Sequence, residues 1–128
     1  MKKSISSKNA PKAADYFSQA VLSDEKQVLE LSGQIGLDPK TFKLVEGGVQ
    51  AQTERAFQNI EAVLAAAGMT LTNVTKVRVY LTSMSDYQEM NDVYAEKFGD
   101  TPPARVTLSV KELPMGALVE IECVARTA

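Results

Sequence analysis

The stretch TPPARVTLSV, residues 101–110, opens on two prolines and continues as an alternating run. Pro102-Pro103 forbid helix, so the chain must leave them extended. Val106, Leu108 and Val110 then alternate with Arg105, Thr107 and Ser109, the period-two pattern of a half-buried strand. Two other segments repeat the pattern. Thr75–Leu81 carries Val77, Val79 and Leu81 on one side, and Leu118–Ala125 carries Val119, Ile121 and Cys123. Their other sides carry Lys76, Arg78 and Tyr80, and Glu120 and Glu122. The three apolar sets are expected to meet the helices. Arg105, Thr107 and Ser109 are expected to join the other polar residues on the far face, either wet or against a copy of the same face in another subunit.

Around these strands the chain supplies two helices. Val49, Ala56, Phe57, Ile60, Val63, Leu64 and Ala67 recur at three- and four-residue steps, predicting a helix that Gly68 terminates. Ser85-Asp86-Tyr87-Gln88 has capping-box spacing. It is expected to open a second helix with Tyr87, Met90, Val93, Tyr94 and Phe98 on one side, ending at Gly99. Val28–Leu31 predicts a strand ending at Ser32-Gly33, and Gly36-Leu37-Asp38-Pro39 a turn. A short apolar stretch runs from Phe17 to Leu22. Residues 1–15 are polar and Ala-rich and predict a loosely held arm. The order of elements predicts an α+β fold, one mixed sheet with two helices on one face. No repeat, low-complexity tract or linker interrupts it, so residues 1–128 are expected to form one domain.

Composition prunes the chemistry. The formal charge is −2 and the pI about 5.2, which does not favour nucleic acid as a partner. A lone Cys123 excludes an intrachain disulfide and suits a reducing, cytoplasmic location. There is no apolar run of transmembrane length, and the Lys-rich start lacks an apolar signal core. There is no histidine, which removes the usual general base, the Ser-His-Asp triad and most zinc sites. Catalysis would have to draw on carboxylates, Arg, Tyr, hydroxyls and backbone groups.

Arg105 is the first candidate. A strand arginine is ordinarily solvated or ion-paired, but its planar fork also matches a carboxylate through two parallel hydrogen bonds. Glu120 and Glu122 share a strand face. They read either as surface charge paired with Lys76 and Arg78 or as a carboxylate that exchanges protons with water. Ser32-Gly33 offers a hydroxyl and a free N–H, though most such pairs are turns. Asp38 and Asp86 read as turn and cap residues, Cys123 as a small hydrophobe. Gly47-Gly48 lack a phosphate-loop pattern, and Lys2, Lys3, Lys8 and Lys12 read as solvated.

Several stretches together resemble one family. They are Ser18-Gln19-Ala20, Ser32-Gly33-Gln34-Ile35-Gly36 with Asp38-Pro39, and Gln52 through Gly68. The others are Val79–Thr82, Asn91–Tyr94, Pro102-Pro103-Ala104-Arg105, and Leu113 through Glu122. In these the chain resembles the RidA (YjgF-type) enamine/imine deaminases over nearly its whole length. The resemblance implies a chorismate-mutase-like fold and a homotrimer whose sheets face inward, with clefts between subunits. It implies hydrolysis of 2-enamino and 2-imino acids (2-aminoacrylate, 2-iminopropanoate, 2-iminobutanoate) to 2-keto acids and ammonia, a form of metabolite damage control. No cofactor and no metal are implied.

By the same resemblance, Arg105 grips the substrate carboxylate and Glu120 handles water. Ser32, Gly33 and Asn91 line the cleft. Three positions depart from the family pattern. Phe17 stands where a Tyr is usual, losing a hydroxyl that Tyr16 would restore only through a backbone shift. Val106-Thr107 replaces Ser-Cys, leaving Thr107 as the small polar side chain. Phe42 replaces the glycine of a Pro-Lys-Thr-Gly turn. Two other classes stay open: a trimer that binds 2-keto acids without turning them over, and an endoribonuclease or translation inhibitor.

Overall fold

The computed structural model describes residues 2–9, 12–24 and 27–127. The strands are β1 (Lys2–Ile5), β2 (Ala20–Ser23), β3 (Val28–Glu30), β4 (Gln34–Ile35), β5 (Val74–Leu81), β6 (Ala104–Ser109) and β7 (Val119–Arg126). The helices are α1 (Gly48–Ala66) and α2 (Tyr87–Phe98). The main sheet runs β3-β7-β5-β6, with β4 also paired to β7. It is mixed. β5 and β6 are parallel, joined through α2, while β7 is antiparallel to β5, β3 and β4. The result is an α+β fold with two helices packed on a mixed sheet.

Alternation drives this packing. On β5 and β7 every second residue is buried: Val77, Val79 and Leu81, and Val119, Ile121 and Cys123. They meet Phe57, Ile60 and Leu64 of α1 and Met90 and Tyr94 of α2 in one cluster. Each such side chain contributes about 1.5–3 kcal/mol by leaving water. Phe57 meets Tyr94 and Phe98 edge-on, with centroids 5.8 and 5.7 Å apart. At the helix margin Lys97 Nζ donates to Glu54 Oε1 at 2.6 Å, tying α2 to α1. Gly68 takes a φ of 73° after α1, as a left-handed terminator should.

α1 also fixes the loop around β4. Asn59 Nδ2 donates to the carbonyls of Ile35 and Leu37 at 3.2 and 2.9 Å, while Arg55 holds its Oδ1. Gly36 lies so close to the helix that a Cβ there would fall 2.6 Å from the Cα of Gln52. Gln52 Oε1 accepts the N–H of Leu118 at 2.9 Å, just before β7. One helix thus sets both the Ile35–Leu37 segment and the start of β7. The Asp38 turn forms as expected: Asp38 Oδ1 accepts the Lys40 and Thr41 N–H groups. At its end Phe42 takes a φ of 61°, the left-handed region that glycine enters most freely.

Three expectations are corrected. First, β6 is turned over. Val77 pairs with Arg105 and Val79 with Thr107, so Arg105 and Thr107 share the face of the core residues. Val106 and Leu108 lie on the open face beside Arg78 and Tyr80, 37% and 43% exposed. Alternation reveals two faces but not which one a helix covers. Here α2 presents Tyr87 and Asn91 to the edge strand, and these suit an arginine better than a valine.

Second, the start of the chain is not a loose arm throughout. β1 pairs antiparallel with β2, and Ser4 Oγ lies 3.0 Å from Ser18 Oγ. Within the expected arm, Met1, Ala10 and Pro11 lie outside the described residues. Third, the capping box at Ser85 does not form. Ser83 instead accepts the Ser85 N–H in a single 3-10 turn over Met84–Asp86, and α2 begins at Tyr87 without a side-chain cap.

Candidate functional site

Arg105 is the centre of the first cluster. Its Nη1 donates to Asn91 Oδ1 at 2.6 Å and its Nη2 to the Tyr87 hydroxyl at 2.8 Å. Tyr87, Asn91 and Tyr94 stand at i, i+4 and i+7, one face of α2. Four rings surround the guanidinium, with centroids 4.6 Å away for Tyr94, 4.9 Å for Tyr16, 5.5 Å for Tyr87 and 5.7 Å for Phe17. Ring faces attract a cation, and a partly desolvated pair is worth on the order of 1–2 kcal/mol. Among the described residues no carboxylate pairs with Arg105, so its charge is held by neutral groups. Five N–H donors minus the two engaged leave about three, including a second hydrogen on each terminal nitrogen.

The proline pair explains how Tyr16 and Phe17 reach this cation. Ser18 N–H donates to the Pro103 carbonyl at 3.1 Å and Ser18 Oγ to the Pro102 carbonyl. Ser18 also bridges Ala104 in parallel. Residues 16 and 17 are thereby pinned beside Arg105. The Tyr16 ring lies nearer the guanidinium than the Phe17 ring does.

Three buried polar atoms in this cluster lack a well-formed hydrogen bond: Asn91 Nδ2, the Tyr94 hydroxyl and Thr107 Oγ1. Buried polar groups are nearly always paired, so three around one arginine point to a place built for a polar ligand. The phenols titrate differently. Burial pushes the Tyr94 hydroxyl up strongly. The neighbouring Tyr87 hydroxyl, followed by burial, raises Tyr16. At Tyr87 burial acts upward but is outweighed by the neighbouring polar side chains of Asn91 and Tyr16 and by the Arg105 guanidinium, so this phenol is lowered.

The second cluster sits on the open face. Glu120 pairs with Tyr80, and Tyr80 with Leu108. A Cβ at Gly33 would fall 2.4 Å from Glu120 Oε2, so the absence of a side chain there lets the carboxylate lie against the backbone. Ser32 is exposed next to it. Tyr80 donates to Glu122 Oε1, which raises the Tyr80 phenol, and Arg78 Nη1 lies 4.0 Å from the same oxygen. Glu122 is therefore the paired carboxylate, while Glu120 projects beside Gly33.

Of the residues singled out in the sequence, the structure brings Arg105, Asn91, Phe17 and Thr107 together on the helix face. It brings Ser32, Gly33 and Glu120 together on the open face. The two sets are not brought together within one chain, because Arg105 and Glu120 project from opposite sides of the sheet. Sequence reasoning missed Tyr87 and Tyr94, whose helical spacing reads as core. A polar Asn91 between them was the available signal. Among the described residues no group of three or more His, Cys, Asp or Glu side chains converges as a metal site would, and no helix is long and apolar enough to cross a membrane.

A mixed sheet carrying two helices, with a caged arginine on its edge strand, defines a class of small α+β proteins. The family model described as endoribonuclease L-PSP matches residues 7–127. The chain belongs to this family, the YjgF/RidA family. It is 46% identical to a RutC family protein of Pyrococcus horikoshii over 98% of both chains. It is 43% identical to the 2-iminobutanoate/2-iminopropanoate deaminase of Bos taurus, covering 98% of this chain and 90% of the relative. The crystal structure of RidA from the Antarctic bacterium Psychrobacter sp. superposes with a TM-score of 0.76 at 39% identity, covering 98% of this chain and 99% of that one.

Proposed function

We propose that this protein hydrolyses reactive 2-enamino and 2-imino acids to 2-keto acids and ammonia, in clefts between the subunits of a cytoplasmic homotrimer. The observation that carries the reading is the caged Arg105, a fixed cation with N–H donors to spare and, among the described residues, no carboxylate partner. A second chain supplies the other half of each cleft. Its Glu120, seated on Gly33, faces the arginine cluster of the first. The deaminase name carried by relatives at 43% identity agrees with this reading.

In the mechanism, Arg105 takes the substrate carboxylate in a bidentate fork. Protonation of the imine nitrogen makes the adjoining carbon electrophilic. A water held by Glu120 of the neighbouring copy adds to that carbon and gives its proton to the carboxylate. The carbinolamine then collapses, ammonia leaves and the keto acid forms. Most of the acceleration comes from positioning, because imines already hydrolyse in water. The wall at Phe17 and the hydroxyl of Thr107 shape the side-chain end of the cleft.

The test is keto-acid release from an imine generated by an amino-acid oxidase, with semicarbazide as competing trap. The native protein is expected to lower semicarbazone yield. Arg105→Ala should lose that effect while sedimentation still finds three chains. Equal rates for both proteins would remove the arginine from the account. Tight 2-keto-acid binding without turnover would leave a binding module, and RNA cleavage lost in Arg105→Ala would leave a nuclease.

A further inference from the structure

We infer that Tyr87 is the acid of this site, the group that hands a proton to the substrate nitrogen. The inference rests on the deaminase reading above and names the donor that reading lacks. The Tyr87 oxygen accepts a hydrogen bond from Arg105 Nη2 at 2.8 Å, beside the place where the substrate carboxylate would sit. Tyr16 and Asn91 lie beside the same oxygen and, with the Arg105 charge, favour its ionised form. In that bond the phenol acts as acceptor, so its own O–H proton stays available to a substrate. Position 17 holds a phenylalanine and offers no hydroxyl. Tyr94 lies beneath the guanidinium with its hydroxyl fully buried. Among the four rings around Arg105, Tyr87 thus combines an oxygen bonded to the cation with a proton not committed to it.

The chemistry balances. The Tyr87 O–H proton passes to the imine nitrogen, giving an iminium ion and a phenolate that Arg105, Asn91 and Tyr16 stabilise. Water oxygen bonds to the iminium carbon, and one water proton goes to Glu120 of the neighbouring copy. That proton then moves to the amino nitrogen. The C–N bond breaks as the carbinolamine hydroxyl returns its proton to the phenolate. Keto acid and ammonia leave, and both side chains end as they began. The groups acting on the phenol are Arg105 from β6, Tyr16 from the segment before β2 and Asn91 from α2. Together they lower it, while Tyr16, Tyr80 and Tyr94 are all raised. Tyr87 is therefore the first of the four phenols to ionise as pH rises.

Tyr87→Phe keeps the ring and removes the hydroxyl. The trap assay across about pH 6 to 10, up to the ordinary phenol value, is run beside 2-ketobutanoate binding by calorimetry. An absorbance titration of phenolate adds a readout independent of turnover. In native protein kcat should fall at alkaline pH as Tyr87 ionises. Tyr87→Phe should lose about tenfold or more in kcat, lose that alkaline limb, and bind 2-ketobutanoate within about threefold of native. The earliest phenolate transition should vanish with it. A native kcat in the variant overturns the inference. So does a loss of kcat matched by an equal loss of 2-ketobutanoate binding with the alkaline limb intact, which makes Tyr87 a support for Arg105 alone. An unchanged first phenolate transition removes its premise. Native protein that fails to accelerate the reaction at any pH fails the deaminase reading itself and takes the acid role with it, an outcome told apart by needing no variant.

Discussion

Thr107 shows how one side chain separates stability from function. Its Oγ1 is buried without a hydrogen bond, on the same face as Arg105 and two residues along the strand. A buried hydroxyl without a partner costs about 1–3 kcal/mol in lost hydration. Thr107→Val replaces it with a methyl of nearly the same shape. The variant should therefore unfold at equal or higher denaturant concentration than native protein, by up to about 1–2 kcal/mol. If the hydroxyl meets substrate, imine hydrolysis should fall severalfold in the same protein. A less stable Thr107→Val would mean that Oγ1 has a partner in the fold, and unchanged kinetics would remove it from the cleft. Position 107 was legible in the sequence only as a polar residue between apolar ones. Its burial was not, because the pattern does not say which face a helix covers.

At the scale of elements, β5 from Lys76 onward, β7 and both helices were readable because each holds one dominant period over most of its length. β6 was readable as a strand but not in its facing. An edge strand has one neighbour, and the margin of the helix layer above it is where polar groups are tolerated. The opening of α2 was misread for a related reason: Ser83 and Ser85 both have capping chemistry, and the 3-10 turn made Ser83 the acceptor. The inward set of β7 carries a further expectation. Cys123 lies in the core, and burial pushes its thiol up from an ordinary value near 9 to about 12. In the unfolded chain the thiol ionises first, so that state loses its proton while the folded one keeps it. This contribution to stability is complete below pH 9 and is lost as pH rises towards 12. Tyr94, also raised, acts in the same sense. Denaturant unfolding followed upward from pH 8 should show a steady decline, shallower in Cys123→Ala. Thiol reagents at pH 8 should label Cys123 only after unfolding. Rapid labelling of folded protein would contradict its place in the core.

For the whole molecule, the decisive fact is that Arg105 and Glu120 leave the sheet from opposite faces. The open face is half apolar, with Val106 and Leu108 beside Arg78, Tyr80, Glu120 and Glu122. That mixture suits contact with another copy better than contact with water alone. A cleft shared between copies makes a prediction that a site within one chain does not. Arg105→Ala and Glu120→Gln should each be nearly inactive alone. In a mixed ring, some clefts take their arginine from a Glu120→Gln chain and their glutamate from an Arg105→Ala chain. Random reassembly of equal amounts in a closed ring should restore about one cleft in four. Unfolding and refolding the two variants together should therefore recover about a quarter of native activity, while refolding each alone and mixing afterwards should recover less. Substitution of Arg105 by Lys in place of Ala should leave the recovery unchanged, because the restored clefts contain neither altered side chain. No recovery after joint refolding, with mixed rings verified by mass, would place both groups on the same chain and end the shared-cleft proposal.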